Sequence, residues 1–456
     1  MKRSMVSGNG GMMQWPSLIS DKRFGLEDYH DRRAETRSDF LRDYDRLVFS
    51  SPFRRLQNKT QVFPLPGSIF VHNRLTHSME VACVGRSIAR EIARGLSRKY
   101  KNEPWVDKLG DIPDIVAAAC LAHDLGNPPF GHNGEKAISA FFSEGAGADL
   151  REELSAEQWS DLINFEGNAN AFRQLTHQFN GRRKGGFAMT YSTLASIVKY
   201  PYESRLWCKP NKFGFFCTER DAFVRVAEEL GLIPDYGPEG EVRYCRHPLV
   251  FAVEAADDIC YEVMDLEDAH KLKILSTDEV TALMLGFFDP ERRGRMAGIM
   301  AMIDDPNERV AYMRSCVIGS LVNCCASAFV ENEEKILNGS FTEPLLAHIS
   351  QRERAAYEEC NRVSWARIYK ASDVIDVELA GNRIITFLMD KLIHAVRFPS
   401  LAYSKLLLAR VPQQYDVGSS DLFTKIQAVI DHVSSMTDVY ALDLYRKLNG
   451  MSLPAV

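Results

Sequence analysis

The sequence predicts an all-α fold, with room for one small β-hairpin. Three observations carry this. Apolar residues recur at mixed three- and four-residue steps over most of the chain. The periodic segments are bounded by helix starts and stops, such as Asp111 and Pro113 before DIVAAACLAHDL and Gly126 after it. Alternating apolar–polar runs of the strand type are few.

The elements follow in order. The first 45 residues are Gly-rich and then dense in charge, which predicts a polar arm that ends as a helix. Leu75, Met79, Ala82, Ile88, Ile92 and Leu96 predict a helix over 73–97 with one buried face. A second helix runs from Asp111 to Gly126. NPPFG then breaks the chain, and HNGEKAISAFF opens a third helix. Residues 143–161 are acidic and read as surface, and NGRRKGG at 180–186 reads as a basic loop. The hairpin is expected at 199–221, where prolines, aromatics and lysines mix. A strong helix opens at HPLVFAVEAADDICYEVMDLEDA, with Pro248 in its first turn. Beyond 275, helices are expected at 276–288, 306–338, 343–372, 383–396, 400–410 and 419–447, with no repeat of fixed period. The organisation expected is an N-terminal arm (1–45), a chemical core (46–275) and a helical C-terminal region (276–456) that offers an oligomer interface.

Composition narrows the function. With 456 residues, 45% hydrophobic and 25% charged, the chain can bury a large core. A net charge of −6 argues against a protein built only to coat nucleic acid, while leaving room for local basic patches. No uninterrupted apolar stretch has bilayer-spanning length, and no apolar segment follows the early Lys2 and Arg3, so a cytoplasmic protein without membrane attachment is expected. None of the ten cysteines forms a CxxC pair, which favours free thiols over disulfides or a zinc–cysteine site.

The chemistry starts at His123 and Asp124. They end a helix rich in Ala, Val, Ile and Leu, where an imidazole and a carboxylate need partners. A metal would satisfy both; a capping Asp beside a core His is the plainer reading. Asp257 shares a helix face with Val253, Cys260, Tyr261 and Met264, where a bare carboxylate is costly. A buried salt bridge competes with metal ligation there. His77, near the start of the 73–97 helix, gains weight only from this company. Two imidazoles and two carboxylates suit one divalent ion per subunit, Mn²⁺, Mg²⁺ or Fe²⁺, with open positions for water and substrate.

The pattern His77…His123-Asp124…Asp257 resembles the HD superfamily of metal-dependent phosphohydrolases. SSPFRRLQNKTQVFPL (50–65), HNRLTHSMEVA (72–82), HDLGNPPFGHNGE (123–135), NFEGNAN (164–170), LASIVKYP (194–201) and EAADDICY (254–261) together resemble the bacterial deoxyguanosine triphosphate triphosphohydrolases. The resemblance covers roughly residues 40–275, and the helical remainder is compatible with it. It implies an HD-domain helical core with a helical C-terminal extension, and His77, His123, Asp124 and Asp257 as metal ligands. It also implies His132 and Glu135 as catalytic histidine and acid; as i and i+3 at a helix start, they share a face. A simple capping pair is the plain alternative.

Arg74 matches a phosphate-contacting arginine. Tyr261 and Asp265 match contacts to the triphosphate or deoxyribose, and Gln61 a glutamine near the sugar 3′-hydroxyl. Lys199 and Tyr200 match phosphate ligands, although a solvated Lys199 is as consistent. Asn127 stands where mammalian relatives with an added SAM domain have a histidine, in line with the bacterial branch. The implied reaction splits a deoxynucleoside triphosphate, dGTP first, at the α-phosphate, giving deoxynucleoside and tripolyphosphate. No G-x-x-x-x-G-K-[ST] loop is present, so metal and basic side chains must hold the phosphates. An activating nucleotide, single-stranded DNA (at Arg182–Lys184 or Lys209–Phe216) and a homo-oligomer, hexamer or tetramer, are the further partners expected. The rival readings are another HD phosphohydrolase, such as a nucleotidase or phosphodiesterase, and a nucleotide-sensing or single-strand-binding regulator.

Overall fold

The structure, a computed structural model, describes residues 11–27, 37–63, 71–206, 212–235, 237 and 240–451. Among these residues the fold is all-α. Extended backbone pairs only at isolated bridges, such as Thr60–Asn73 and Tyr202–Arg243. The expected hairpin at 199–221 does not form among the described residues, and 207–211 lie outside them. Tyr202 bridges instead to Arg243, and Tyr244 N–H donates to Pro201 O at 2.9 Å. The local return reduces to one backbone bond, Gly214 N–H to Tyr202 O at 3.1 Å, and the later segment pairs alongside it.

Nine helices position the site: α1 (Arg74–Lys99), α2 (Ile112–Ala122), α3 (Gly131–Ser143), α4 (Gly167–Thr176), α5 (Val250–Lys271), α6 (Pro306–Glu331), α7 (Ser372–Arg397), α8 (Leu422–Ser434) and α9 (Asp438–Leu448). Asn73 and Thr76 form a capping box that starts α1 at the expected place. His72, just before it, pins that start to α5. Its N–H and Nδ1 each lie 2.8 Å from an Asp268 carboxylate oxygen. Nine of the eleven residues of α2 are buried, four of them alanines, so neighbours approach closely. Gly85 of α1 is part of that fit, since a Cβ there would lie 2.5 Å from Cys120 Sγ.

Two apolar cores result. The first is built on α1, α2, α5 and α6, and the second on α3, α7, α8 and α9. The chain passes from one to the other between His123 and Gly131. The C-terminal helices therefore pack onto both cores rather than forming a separate layer.

Several expectations are corrected. Residues 11–27 are not a polar arm: Trp15 and Leu18 are buried, and Trp15 Nε1–H donates to Glu333 at 2.6 Å. An unexpected helix, Pro290–Met300, forms despite Gly294 and Gly298. The expected 419–447 helix is two, because Thr437 caps a new start by accepting from Tyr440 N–H. The expected 343–372 helix divides into Leu345–His348, Gln351–Val363 and a π-turn at Ser364–Ile368. By length and composition α6 could cross a bilayer, although polar residues such as Arg309, Arg314 and Asn323 interrupt its apolar run. It buries Met313, Val317, Leu321, Cys325 and Phe329 in the first core.

His247, before α5, is fully enclosed. Its Nε2 donates to Leu18 O at 3.1 Å, and its Nδ1 accepts from Leu249 N–H at 3.2 Å. Burial lowers its pKa to about 4, against the backbone bond to Leu18. The unfolded imidazole takes its proton near pH 6.5, so native stability is lost as pH falls from there toward 4. At 1.4 kcal/mol per unit this amounts to about 3 kcal/mol. The stability gap between the parent and His247→Asn should shrink by about that much between pH 7 and pH 4, read from denaturant midpoints.

Candidate metal centre

Three helices each deliver one group. His77 lies in the first turn of α1, His123 follows the last residue of α2, and Asp257 lies in the third turn of α5. His77 Nε2 is 3.0 Å and His123 Nε2 is 3.4 Å from the same oxygen, Asp257 Oδ1. One ligand atom from each residue lies within 4.8 Å of the others. His123 Nδ1 sits 2.6 Å from Cys120 O, which orients the ring and leaves Nε2 facing the cluster. That buried Nε2 has no hydrogen-bond partner. An orphaned ring nitrogen beside a shared carboxylate is what a divalent cation would satisfy, so these residues fit a metal. Burial alone would raise Asp257, but His123 and His77 outweigh it and hold the carboxylate well below its usual range.

Asp124 stands at the edge of this cluster. Its Oδ1 is 3.6 Å from His123 Nε2. Its Oδ2 accepts from Arg74 Nη1–H at 2.8 Å, and its Oδ1 from Asn127 Nδ2–H at 2.5 Å. Burial would raise its pKa; Arg74, then His123 and His77, lower it below the usual carboxylate value. Arg74 is itself buried, with Nε unpartnered.

On the far side of Arg74 and Asp124, whose charges act on both, α3 brings His132 and Glu135. His132 is exposed on one side. Crowding by protein on its other sides, then the charges of Lys212 and Arg74, hold its imidazole well below the ordinary value and therefore neutral at pH 7. Glu135 is buried, and its Oε1 accepts from Gly167 N–H at 2.9 Å. Burial raises its pKa, opposed first by Lys212.

The remaining residues divide. Lys199 pairs with Glu254 at 3.1 Å, and Tyr200 is buried with its ring centroid 6.0 Å from Lys199 Nζ. Tyr261 is part-exposed beside Tyr369, whose Oη–H donates to buried Asp265 at 2.6 Å. Gln61 is half-buried with Oε1 unpartnered. Lys199 and Asp265 are thus already engaged by neighbours.

Lys212 and Glu166 join the site as well, where the sequence alone points to Lys212 only as part of a patch for single strands. Lys212 Nζ pairs with buried Glu166 at 2.7 Å and acts electrostatically on Glu135 and His132. Glu166 sits in the NFEGNAN string, which was the available signal.

The HD domain matches residues 74–200, and the phosphohydrolase-associated domain matches residues 347–447. Fold, cluster and these matches define an HD-domain hydrolase, a class whose domain binds divalent metals. A deoxyguanosinetriphosphate triphosphohydrolase-like protein of Pseudomonas aeruginosa is 35% identical over 97% of this chain and 100% of its own. One from Synechocystis is 36% identical with the same coverage. A deoxyguanosinetriphosphate triphosphohydrolase of Yersinia pseudotuberculosis is 31% identical over 90% of this chain and 93% of its own. The chain belongs to the deoxyguanosinetriphosphate triphosphohydrolase family.

Gly131 has φ +59, and a Cβ there would lie 2.4 Å from Arg74 Nη2. Gly131→Ala should cost roughly 1–2 kcal/mol for the left-handed backbone, before the collision with Arg74. Denaturant unfolding of the variant at neutral pH measures this.

Proposed function

We propose that this protein hydrolyses a deoxynucleoside triphosphate, dGTP first, at the α-phosphate, releasing the deoxynucleoside and tripolyphosphate. The observation that carries the reading is the unpartnered His123 Nε2 facing Asp257 and His77, with a neutral His132 near the Arg74–Asp124 pair at the cluster's edge. The family membership supports the substrate class.

In this reading His77, His123, Asp124 and Asp257 hold one divalent ion, Mn²⁺, Mg²⁺ or Fe²⁺. When bound, that ion supplies Lewis acidity at the α-phosphate and lowers the pKa of water. His132, neutral at pH 7, accepts or returns a proton at its imidazole in the transition state. Glu135 orients His132 through the fixed start of α3. Arg74, Lys199, Tyr200 and Lys212 bind the phosphates, and Tyr261, Asp265 and Gln61 contact the triphosphate or sugar. Arg74 is pre-aimed by Asp124, which supports a phosphate role.

We extend the same reading to organisation. Residues 46–275 carry the chemistry, 1–45 lead into it, and 276–456 add an interface for a homo-oligomer, hexamer or tetramer. A cytoplasmic enzyme, with an activating nucleotide or single-stranded DNA as regulators, completes it.

Incubation with Mn²⁺ and each of the four dNTPs, singly and mixed, tests the reading: tripolyphosphate should appear, most from dGTP. Orthophosphate or a nucleoside monophosphate would instead indicate a nucleotidase or phosphodiesterase. His132→Ala should lower kcat by about 10²–10⁴-fold while Mn²⁺ stays bound. Asp257→Asn should weaken Mn²⁺ binding by at least the roughly 100-fold that loss of an outer-shell partner can reach, read by calorimetric titration.

A further inference from the structure

The loop between His123 and His132 is fastened to helices that lie 250 to 310 residues further on. Asp438, the first residue of α9, is buried. Its Oδ2 accepts from Thr60 N–H at 2.8 Å, and its Oδ1 accepts from Phe130 N–H at 3.0 Å. Between them lies buried Lys59, whose Nζ donates to Asn127 O at 2.5 Å and Ser434 O at 2.8 Å. Asn170 Nδ2 donates to Gly126 O at 2.7 Å and Ser434 Oγ at 3.1 Å. The Phe130 ring rests on Gly381 of α7, where a Cβ would lie 2.6 Å from Phe130 Cγ.

Phe130 also carries a left-handed backbone, φ 63. A bulky residue keeps that conformation only where its surroundings impose it. The Asp438 carboxylate does so by holding the Phe130 N–H. His132 stands two residues beyond Phe130, and Gln61 follows Thr60 directly. A carboxylate is the group this position needs. Two backbone N–H donors converge on it, one to each oxygen, and its charge also favours a proton on Lys59, which burial otherwise pushes down to about 7. An amide would turn its own N–H₂ toward one of the two donors.

We infer that Asp438 is a positioning residue for the hydrolysis: from the C-terminal region it sets the Phe130 backbone, and so His132, and sets Thr60, and so Gln61. It touches neither substrate nor metal. The inference rests on the proposed role of His132, and it makes the phosphohydrolase-associated region part of the active site's scaffold.

Three variants test it in the full-length protein: Asp438→Asn, Asp438→Glu and Thr437→Ala. Thr437→Ala removes the cap that accepts from Tyr440 N–H, so it weakens α9 and leaves the Asp438 acceptors in place. Hydrogen exchange of peptides covering 58–62 and 126–132 should be about tenfold faster in Asp438→Asn. Its kcat on the best dNTP should fall about 10²-fold, with KM and Mn²⁺ affinity unchanged. Asp438→Glu, which keeps a double acceptor, should recover part of kcat. Thr437→Ala should lower the melting midpoint yet keep parental kcat and parental exchange at 126–132. Parental kcat in Asp438→Asn overturns the inference. So does a kcat loss in Thr437→Ala that tracks its lost stability. If the parent hydrolyses no dNTP, the functional reading fails separately, and unchanged exchange at 58–62 and 126–132 in Asp438→Asn alone overturns the positioning role.

Discussion

The cleft depends on one carboxylate held between two imidazoles. Asp257 reaches His77 and His123 only because α1, α2 and α5 pack closely enough to bring three helix faces within a few ångströms. That closeness is written in small side chains. Ala117, Ala118, Ala119 and Ala122 line α2, and Gly85 of α1 admits Cys120. Larger residues there would separate the helices and pull the ligand atoms apart, since packed cores do not yield smoothly. The metal-type cluster is therefore a consequence of apolar packing, although every group in it is polar.

Around it, charge is arranged in a second tier. Asp124 is shared among Arg74, Asn127 and the cluster edge, so one residue links the ligand set to the cationic wall. Arg74 can sit buried only because Asp124 answers it. The same logic governs Lys212 and Glu166 opposite, and their field reaches His132. A site of the proposed kind would have to hold cations ready for a polyanion without letting them collapse onto the carboxylates of the cluster. Here the two cations nearest His132 are each tied to a specific carboxylate, which keeps them in place at the walls of the cleft.

Much of this was legible in the sequence, for stated reasons. Asp257 in an apolar helical stripe and His123-Asp124 at the end of a buried helix break the local pattern, and such breaks mark functional positions. The starts of α1 and α2 were readable from the apolar periodicity and from Asp111 and Pro113, although α2 stops at Ala122, short of the expected Gly126. The bridge of Tyr202 to Arg243 was not readable, because the partner lies some forty residues away. The place of Lys212 near His132 and Glu135 was not readable, since its partner Glu166 lies 46 residues back. Asp438 was silent: an aspartate at a helix start looks like an ordinary first-turn acid. Only the fold shows that its two oxygens face Thr60 and Phe130.

The seam between the two cores explains why these distant contacts gather in one place. Buried charges disrupt a close-packed interior, yet they need a low-dielectric surround to act strongly. A boundary between two separately packed cores meets both needs. The first core can hold His77, His123 and Asp257 on its rim, and the second can hold His132 and Glu135 on its own. The short chain from Asp124 to Phe130 then spans the gap and must be fixed from both sides. Arg74 grips it from the first core through Asp124, while Lys59 and Asp438 grip it where α8 and α9 meet. On this account the C-terminal helices help to build the cleft whatever they add as an interface, because Asp438 holds the loop directly and Ser434 holds its two other anchors, Lys59 and Asn170.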